Sequence, residues 1–297
     1  EYSKISQSGA AGQSRSFIRP KGSASLAWKP QPNLDLSLKV ERSVGQLNFF
    51  DFVESVDVSQ NNGNAGNPGL VPPQSWRAEL EATQKLGPWG SMTVNIYGEK
   101  FSDIVDSIPI TATTEARGNL DSATSYGVGL VSSLLFDPIG WRGAKLDFEG
   151  ELRRSSLRDP LTGVHRRISD DKIFTYEVNF RQDIPNSNWA WGAGAEDSRY
   201  SKTLRLDQTT KFRTGAPYTW AFVEHKDIFG LTVKAELGNL LGRSENFTRA
   251  AYGTILGQPG DLDPPFQRGR RNGPLGFVED RSREFGLIYR LTVSGSF

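Results

Sequence analysis

Apolar and polar positions alternate along most of this chain with a period of two. In "IRPKGSASLAWK" one parity holds Ala24, Leu26 and Trp28, and "LDLSLKVE" continues it with Leu34, Leu36, Leu38 and Val40. Trp76, Ala78, Leu80 and Ala82 repeat the pattern, followed by Met92, Val94 and Ile96, then Tyr126, Val128, Leu130 and Leu134. Leu146, Phe148, Gly150 and Leu152 come next, then Phe174, Tyr176, Val178 and Phe180, and a weaker Trp191, Ala193, Ala195. Tyr218, Trp220 and Phe222 form another apolar face, as do Leu231, Val233, Ala235 and Leu237. The chain ends on Phe285, Leu287, Tyr289, Leu291, Val293 and Phe297 in "EFGLIYRLTVSGSF". A strand points successive side chains to opposite faces, and a helix cannot sustain this repeat. At about ten residues per strand, the pattern predicts about eleven strands.

The connections alternate in length. "PQPN", "GPWG", "DPIGWRG", "IPNSN" and "DIFG" are short and rich in Pro, Gly, Asn and Asp, the residues of tight turns. Between them lie long polar stretches at 45–74, 102–124, 159–172, 201–210 and 242–283. Short on one side and long on the other is the layout of an all-β, antiparallel up-and-down transmembrane β-barrel, with tight periplasmic turns and long external loops. With the short turns in the periplasm, the last strand runs downward and ends there at Phe297. Trp28, Trp89, Trp141, Trp189 and Phe229 sit at or beside the short turns, where such a barrel carries an aromatic girdle.

The opposite parity carries Lys39, Glu41, Asp147, Glu149, Glu151, Thr175, Glu177, Asn179, Lys234 and Arg290. An Arg or Lys facing lipid at the midplane costs about 2–4 kcal/mol, so a membrane barrel turns this face toward a wet lumen. A soluble one-sided sheet also alternates, and the asymmetry of the loops is what favours the barrel.

Composition narrows the classes. Lys+Arg 35 against Asp+Glu 34 leaves a net charge of +1, which argues against a nucleic-acid partner held by bulk charge. The absence of cysteine excludes thiolate metal sites and cysteine catalysis, and agrees with an oxidising compartment. No run approaches the roughly 20 apolar residues of a membrane helix, a scan to which membrane strands are invisible. The opening "EYSKISQSGAAGQSRS" has neither an initiator Met nor a signal peptide and reads as a loop entered midway, so a processed chain or a piece of a longer one is expected.

Several motifs resemble those of TonB-dependent outer-membrane receptors. "AGNPGLVPPQSWRAELEA" is similar to the Asn-Pro-x-Leu-x-Pro-x-x-Ser segment that opens a mid-barrel strand, through Asn67, Pro68, Leu70, Pro72 and Ser75, with Pro73 where an acidic residue is usual. "GNLDSATSYGVGL" resembles the family's Asn-x-x-x-Ala-x-x-x-Gly-x-x-Leu opening through Asn119, Ala123, Gly127 and Leu130, with Gly129 where Glu is frequent. "LGNLLGRS" is similar to the Asn-Leu-hydrophobic element of the penultimate strand, and the last strand ending on Phe297 resembles the assembly signal of outer-membrane barrels.

The resemblance covers nearly the whole chain and implies that residues 1–297 are the C-terminal part of one barrel of about twenty-two strands, without its N-terminal plug domain. It also implies an integral protein of a Gram-negative outer membrane, surrounded by outer-membrane lipid and lipopolysaccharide. Its further partners would be the barrel assembly machinery and, through the missing N-terminal region, the TonB complex. Such a receptor captures a scarce nutrient at external loops, such as a ferric siderophore, cobalamin or a saccharide, and imports it with energy from TonB. A passive porin-like channel and a soluble carbohydrate-binding β-protein are the alternatives.

Candidate chemistry is sparse, and neither enzyme activity nor a cofactor is expected. His165 could pair with Ser155 or Ser156 and with Asp159 or Asp170, although a triad makes strict geometric demands. His225 belongs at a strand end beside a tight turn. The acids at 261–263 lack the spacing of a calcium loop. For ligand capture, Phe49, Phe50 and Phe52 of "NFFDF" could stack on a sugar or a chelate, or pack within their own loop. Arg268, Arg270 and Arg271 of "FQRGRRNG" could meet anionic ligands or lipopolysaccharide phosphates. Deleting Phe297 from the intact protein is predicted to lower outer-membrane insertion more than ligand affinity; normal surface levels of that variant, measured by surface labelling, would refute the assembly role.

Overall fold

Eleven of the alternating segments hydrogen-bond side by side in chain order, each antiparallel to the one before. The structure is a computed structural model and describes residues 2–6, 14–47, 55–57, 62–64, 66–110, 115–253, 270 and 273–295. Its strands are β1 (Tyr2–Ser6), β2 (Ser14–Ile18), β3 (Gly22–Gln31), β4 (Leu34–Val44), β5 (Ser55–Asp57), β6 (Asn62–Asn64), β7 (Gln74–Lys85), β8 (Gly90–Pro109), β9 (Glu115–Leu135) and β10 (Ala144–Arg158). These are followed by β11 (His165–Arg166), β12 (Lys172–Asp183), β13 (Trp189–Tyr200), β14 (Thr203–Leu204), β15 (Gln208–Thr214), β16 (Tyr218–Ile228), β17 (Leu231–Gly238), β18 (Ser244–Tyr252), β19 (Leu275–Glu284) and β20 (Ile288–Ser294). The described residues contain no α-helix.

The wall runs β3-β4-β7-β8-β9-β10-β12-β13-β16-β17-β20, and among the described residues it does not close, because β3 pairs only with β4 and β20 only with β17. Register carries one face across it. Leu26, Leu38, Leu80, Ile96, Val128, Leu152 and Phe174 form one unbroken row of cross-strand partners. One step along, Ser37, Glu81, Asn95, Gly129, Glu151, Thr175 and Ser198 form another. Among the described residues nothing covers the apolar row: Leu26 is 62 % exposed and Ile96 56 %. Trp28, Trp89, Trp141, Trp189 and Phe229 stand exposed at the short-turn end, with Trp189 edge-on to His225 at 4.6 Å.

β16 departs from the expected parity. Its Ala221 and Val223 oppose Ala193 and Trp191 on the apolar face, whereas Tyr218, Trp220 and Phe222 share the polar face with Glu196, Glu224 and Glu236. Glycines make room for these rings. A Cβ on Gly192 would lie 2.6 Å from Phe222, Gly194 lies under Trp220, and Gly238 lies under Tyr218. The Lys234 ammonium stands 4.2 Å from the centre of the Phe222 ring, a favourable place for a cation over a π face.

Three of the predicted long connections contain strand among their described residues. β8 and β9 have 20 and 21 residues and stay paired out to Pro109 and Glu115, so 102–124 is mostly ladder. At about 3.3 Å per residue these strands are roughly 65–70 Å long, more than twice a hydrocarbon core of about 30 Å. Segments 201–210 and 242–283 supply a second sheet, β14-β15-β18-β19, in which β15 leads into β16, β17 leads into β18, and β19 leads into β20. Within the opening stretch, read as a loop, β1 pairs antiparallel with β2.

Asn239 joins the second sheet to the wall. It is buried at the end of β17 with φ 58°, its Nδ2 donates to the carbonyls of Phe285 at 2.7 Å and Gly286 at 3.1 Å, and its Oδ1 accepts from the Arg243 N–H at 2.6 Å. This corner ends β19 before Phe285, so Phe285 and Leu287 lie outside the final wall strand. Tyr289, Leu291 and Val293 do share the apolar face, opposite Leu237, Ala235 and Val233, with Arg290 opposite Glu236 on the polar one. Phe297 lies outside the described residues.

Gly127 sits under Tyr97, where an added Cβ would come within 2.6 Å of the phenol oxygen, while a Cβ on Gly98 meets nothing within 4 Å. Gly127→Ala is predicted to destabilise the full-length protein by about 1–3 kcal/mol through overpacking. Gly98→Ala should change stability by less than about 0.5 kcal/mol, as an open surface position does. Equal urea midpoints for the two variants would refute this.

Candidate functional site

The polar face of the wall holds an ordered network of charges. Tyr97 Oη donates to Glu151 at 2.5 Å and accepts from Arg153 Nε at 2.7 Å, while the Arg77 guanidinium stacks 3.5 Å from its ring centre. Arg77 also pairs with Glu79 at 2.8 Å, and Arg153 reaches Asp171 at 3.3 Å. Alternation places Arg77, Glu79, Tyr97, Glu151 and Arg153 on one face, and Gly127 between Tyr97 and Arg153 leaves the space the ring needs.

A cavity of about 480 Å³ opens beside this network. Glu149, Glu177 and Glu196 are direct cross-strand partners along its floor, with Glu81 and Glu151 nearby. Like charges placed opposite one another repel, and only Lys172 and Arg243 supply positive charge in the lining. Such a row persists where water or a cationic group solvates it.

At the end away from the short turns, distant segments meet at Asp159. This residue is 2 % exposed; its Oδ1 accepts from the N–H groups of Leu161 and Thr162 and from the Thr162 hydroxyl. Its Oδ2 receives Arg166 Nε at 2.6 Å and Arg270 Nη2 at 2.9 Å. Arg166 continues to Asp106 at 2.9 Å, and Arg205 pairs with buried Glu115, whose other oxygen accepts from Leu206 N–H at 2.7 Å. Burial alone would raise the Asp159 carboxyl, but the Thr162 N–H, Arg166 and Arg270 outweigh it and bring its pKa to about 2. Burial, with Glu115 nearby, pushes the Asp207 carboxyl up.

The expected motifs come together here. Asn119 accepts from Val71 N–H at 2.9 Å and donates to Val71 O at 2.8 Å and Asp103 O at 2.6 Å. Asn67 donates to Arg117 O at 3.0 Å and accepts from Gly69 N–H at 2.9 Å. Leu70 is fully buried, Pro72 is buried, and Ser75 shares a 2.9 Å hydrogen bond with Ser43. Pro68 lies in the turn that starts this segment. The stretch from Asn67 to Ser75 is thus a strap clamped to β8 and β9 by Asn119. Further down β9, Ala123 is buried and Leu130 opposes Val94 and Gly150.

Ser156 and His165 do meet, at 3.3 Å, but Ser155 donates instead to Asp171 at 2.5 Å, and both Asp159 oxygens are committed to arginines and turn N–H groups. His225 lies near the end of β16 as expected. Arg270 is a tie within the Asp159 cluster rather than an open guanidinium, whereas Phe49, Phe50, Phe52, Arg268, Arg271 and the acids at 261–263 lie outside the described residues. Asp106, Glu115, Arg166 and Arg205 escaped sequence reading because no motif links residues so far apart in the chain.

No family model and no curated protein matches this chain. A carboxyl held below its ordinary value contributes stability above about pH 3.9 and loses it as pH falls through its folded value. Hydrogen exchange of segments 159–171 and 205–208 is therefore predicted to stay slow down to about pH 4 and to quicken toward about pH 2. Asp159→Asn should exchange fast throughout, and a pH-independent wild-type profile would contradict the role of Asp159.

Proposed function

We propose that this chain is part of the wall of a TonB-dependent outer-membrane receptor, an active importer of a scarce nutrient. One observation carries the membrane half of the reading. Among the described residues eleven polar or charged side chains are buried against seven apolar ones, while Leu26, Leu80, Ile96, Leu152 and Leu291 stand exposed. Water penalises that distribution and a hydrocarbon solvent favours it.

Dimensions agree. From Tyr126 to Phe136 the outer face of β9 and its turn advances ten residue steps, about 33 Å along the strand. At the usual tilt of about 40° this matches the apolar band of about 25 Å in membrane barrels. Unpaired strand edges are costly in lipid, so β3 and β20 require partner strands from outside this chain.

The motif resemblance supports the transport half. The strap at Asn67–Ser75 and the Asn119 and Asn239 clamps put the quoted motifs at structural junctions, and the polar face with its carboxylate row would line the path of the ligand. Outer loops would capture the nutrient, and a plug outside this chain would gate its passage under TonB. Coding sequence for a plug of about 100–150 residues upstream is the decisive check between importer and passive channel; its absence favours the channel.

The membrane half has a direct test. Leu130→Arg places a cation near mid-height on the apolar face, opposite Val94, and is expected to cost about 2–4 kcal/mol of assembly, whereas Ser37→Arg, on the polar face opposite Glu81, should be tolerated. Outer-membrane yield and the heat-modifiable gel band report both. Partition of the wild-type protein into buffer without detergent, with both variants equally soluble, would sink the membrane reading and favour a soluble binding protein.

A further inference from the structure

The polar face of the wall is built in rows of cross-strand partners, and the rows differ in how their charges are met. One row runs Arg181, Gly192, Phe222, Glu236 and Arg290. The wall supplies its own cation there: the Lys234 ammonium lies 2.9 Å from Glu236 and 4.2 Å from the centre of the Phe222 ring. Arg290 also meets Glu236 at 3.0 Å, and Arg181 meets Asp183 at 3.1 Å and Glu224 at 2.6 Å. A ring, a carboxylate and an ammonium complete one another in this row.

Two rows farther from the short turns, the ring and the carboxylates recur and the cation does not. Glu149, Glu177, Glu196 and Tyr218 are successive partners. The three glutamates are exposed, and among the described residues none of them makes an ion pair; Glu177 accepts only the Asn179 amide at 2.6 Å. Trp220 stands between the two rows. Its indole fills the space above Gly194, two residues before Glu196 on the same face of β13, and its ring centre is 5.8 Å from that of Tyr218. Both rings are half-buried. The glutamates line the cavity of about 480 Å³, and the Lys172 and Arg243 side chains that also line it form no ion pair with them.

We infer that Tyr218, Trp220 and Glu196 form a subsite for an organic ammonium group carried by the ligand. The inference rests on the reading of the polar face as the ligand's path. The row at Phe222 displays what this wall accepts between a ring and a carboxylate, and the guest there is an alkylammonium. A cation over the face of Tyr or Trp is held by the ring quadrupole, more strongly where water is partly excluded. A bare metal ion fits less well, because it takes oxygen or nitrogen ligands rather than rings. Among the described residues no three His, Asp or Glu side chains converge to hold one. The reversed parity of β16 is what brings both rings to the polar face; the expected parity would have turned them outward.

The test uses the full-length protein purified in non-ionic detergent, titrated at constant ionic strength with choline and with its uncharged tert-butyl isostere, and followed by ligand-observed NMR. Wild type should bind choline at least about tenfold more tightly than the isostere, a ratio within reach of a cation–π contact joined to a carboxylate. Glu196→Gln/Tyr218→Leu should abolish that preference, and Tyr218→Phe should keep most of it. Equal binding of the two probes by wild type would overturn the inference, as would an unchanged preference in a double variant that retains the wild-type circular dichroism. Should the double variant not fold, Glu196→Gln alone, at an exposed position, must lower the preference by at least about threefold. Displacement of choline by an equal concentration of potassium would reduce the corner to bare charge and overturn the inference too. Partition of wild type into buffer defeats the membrane reading and the ligand path with it; a membrane-inserted protein that lacks the preference defeats the subsite alone.

Discussion

Backbone register between neighbouring strands is the constraint on which the rest of this structure depends. Side chains alternate with a period of two, so once Leu38 faces Leu80, Lys39 must face Glu79, and the assignment passes strand by strand to β20. A slip of one residue anywhere would turn an entire strand inside out. The carboxylates and arginines of one face would then lie among the leucines of the other. The consequence is a wall with two surfaces of opposite solvent preference, and each functional feature belongs to one of them.

β16 reveals how strong that constraint is. Its own sequence offers a more apolar face in Tyr218, Trp220 and Phe222 than in Thr219, Ala221 and Val223. The neighbours place the smaller set outward and lodge the rings over Gly192, Gly194 and Gly238. Hydrogen bonds to both adjacent strands fix the parity, and glycines on those strands absorb the volume. Tyr97 over Gly127 repeats this arrangement on the polar face.

Beyond the apolar rows, charge takes over the work of hydrophobic contact. A buried carboxylate such as Asp159 is tolerable only when fully paired, and two N–H groups of its own turn, the nearby Arg166 and the distant Arg270 pair it. The same economy explains the Asn67, Asn119 and Asn239 clamps, whose side chains satisfy backbone groups where strands end or turn corners. Rigid junctions of this kind hold the outer segments in place.

The sequence by itself determined the strands of the wall, their antiparallel order, the tight turns at one end and the sidedness of most positions. All of these follow from local periodicity and turn chemistry. It also marked Asn67 and Asn119 as a pair of motifs, without indicating that one clamps the other. Tertiary structure alone decided the parity of β16, the conversion of the 201–210 and 242–283 segments into a second sheet, and the exclusion of Phe285 and Leu287 from the last strand. It also decided the commitment of Arg270 to Asp159. Each of these depends on which residues become neighbours across a strand or from a distant loop, and a period of two carries no record of the neighbour.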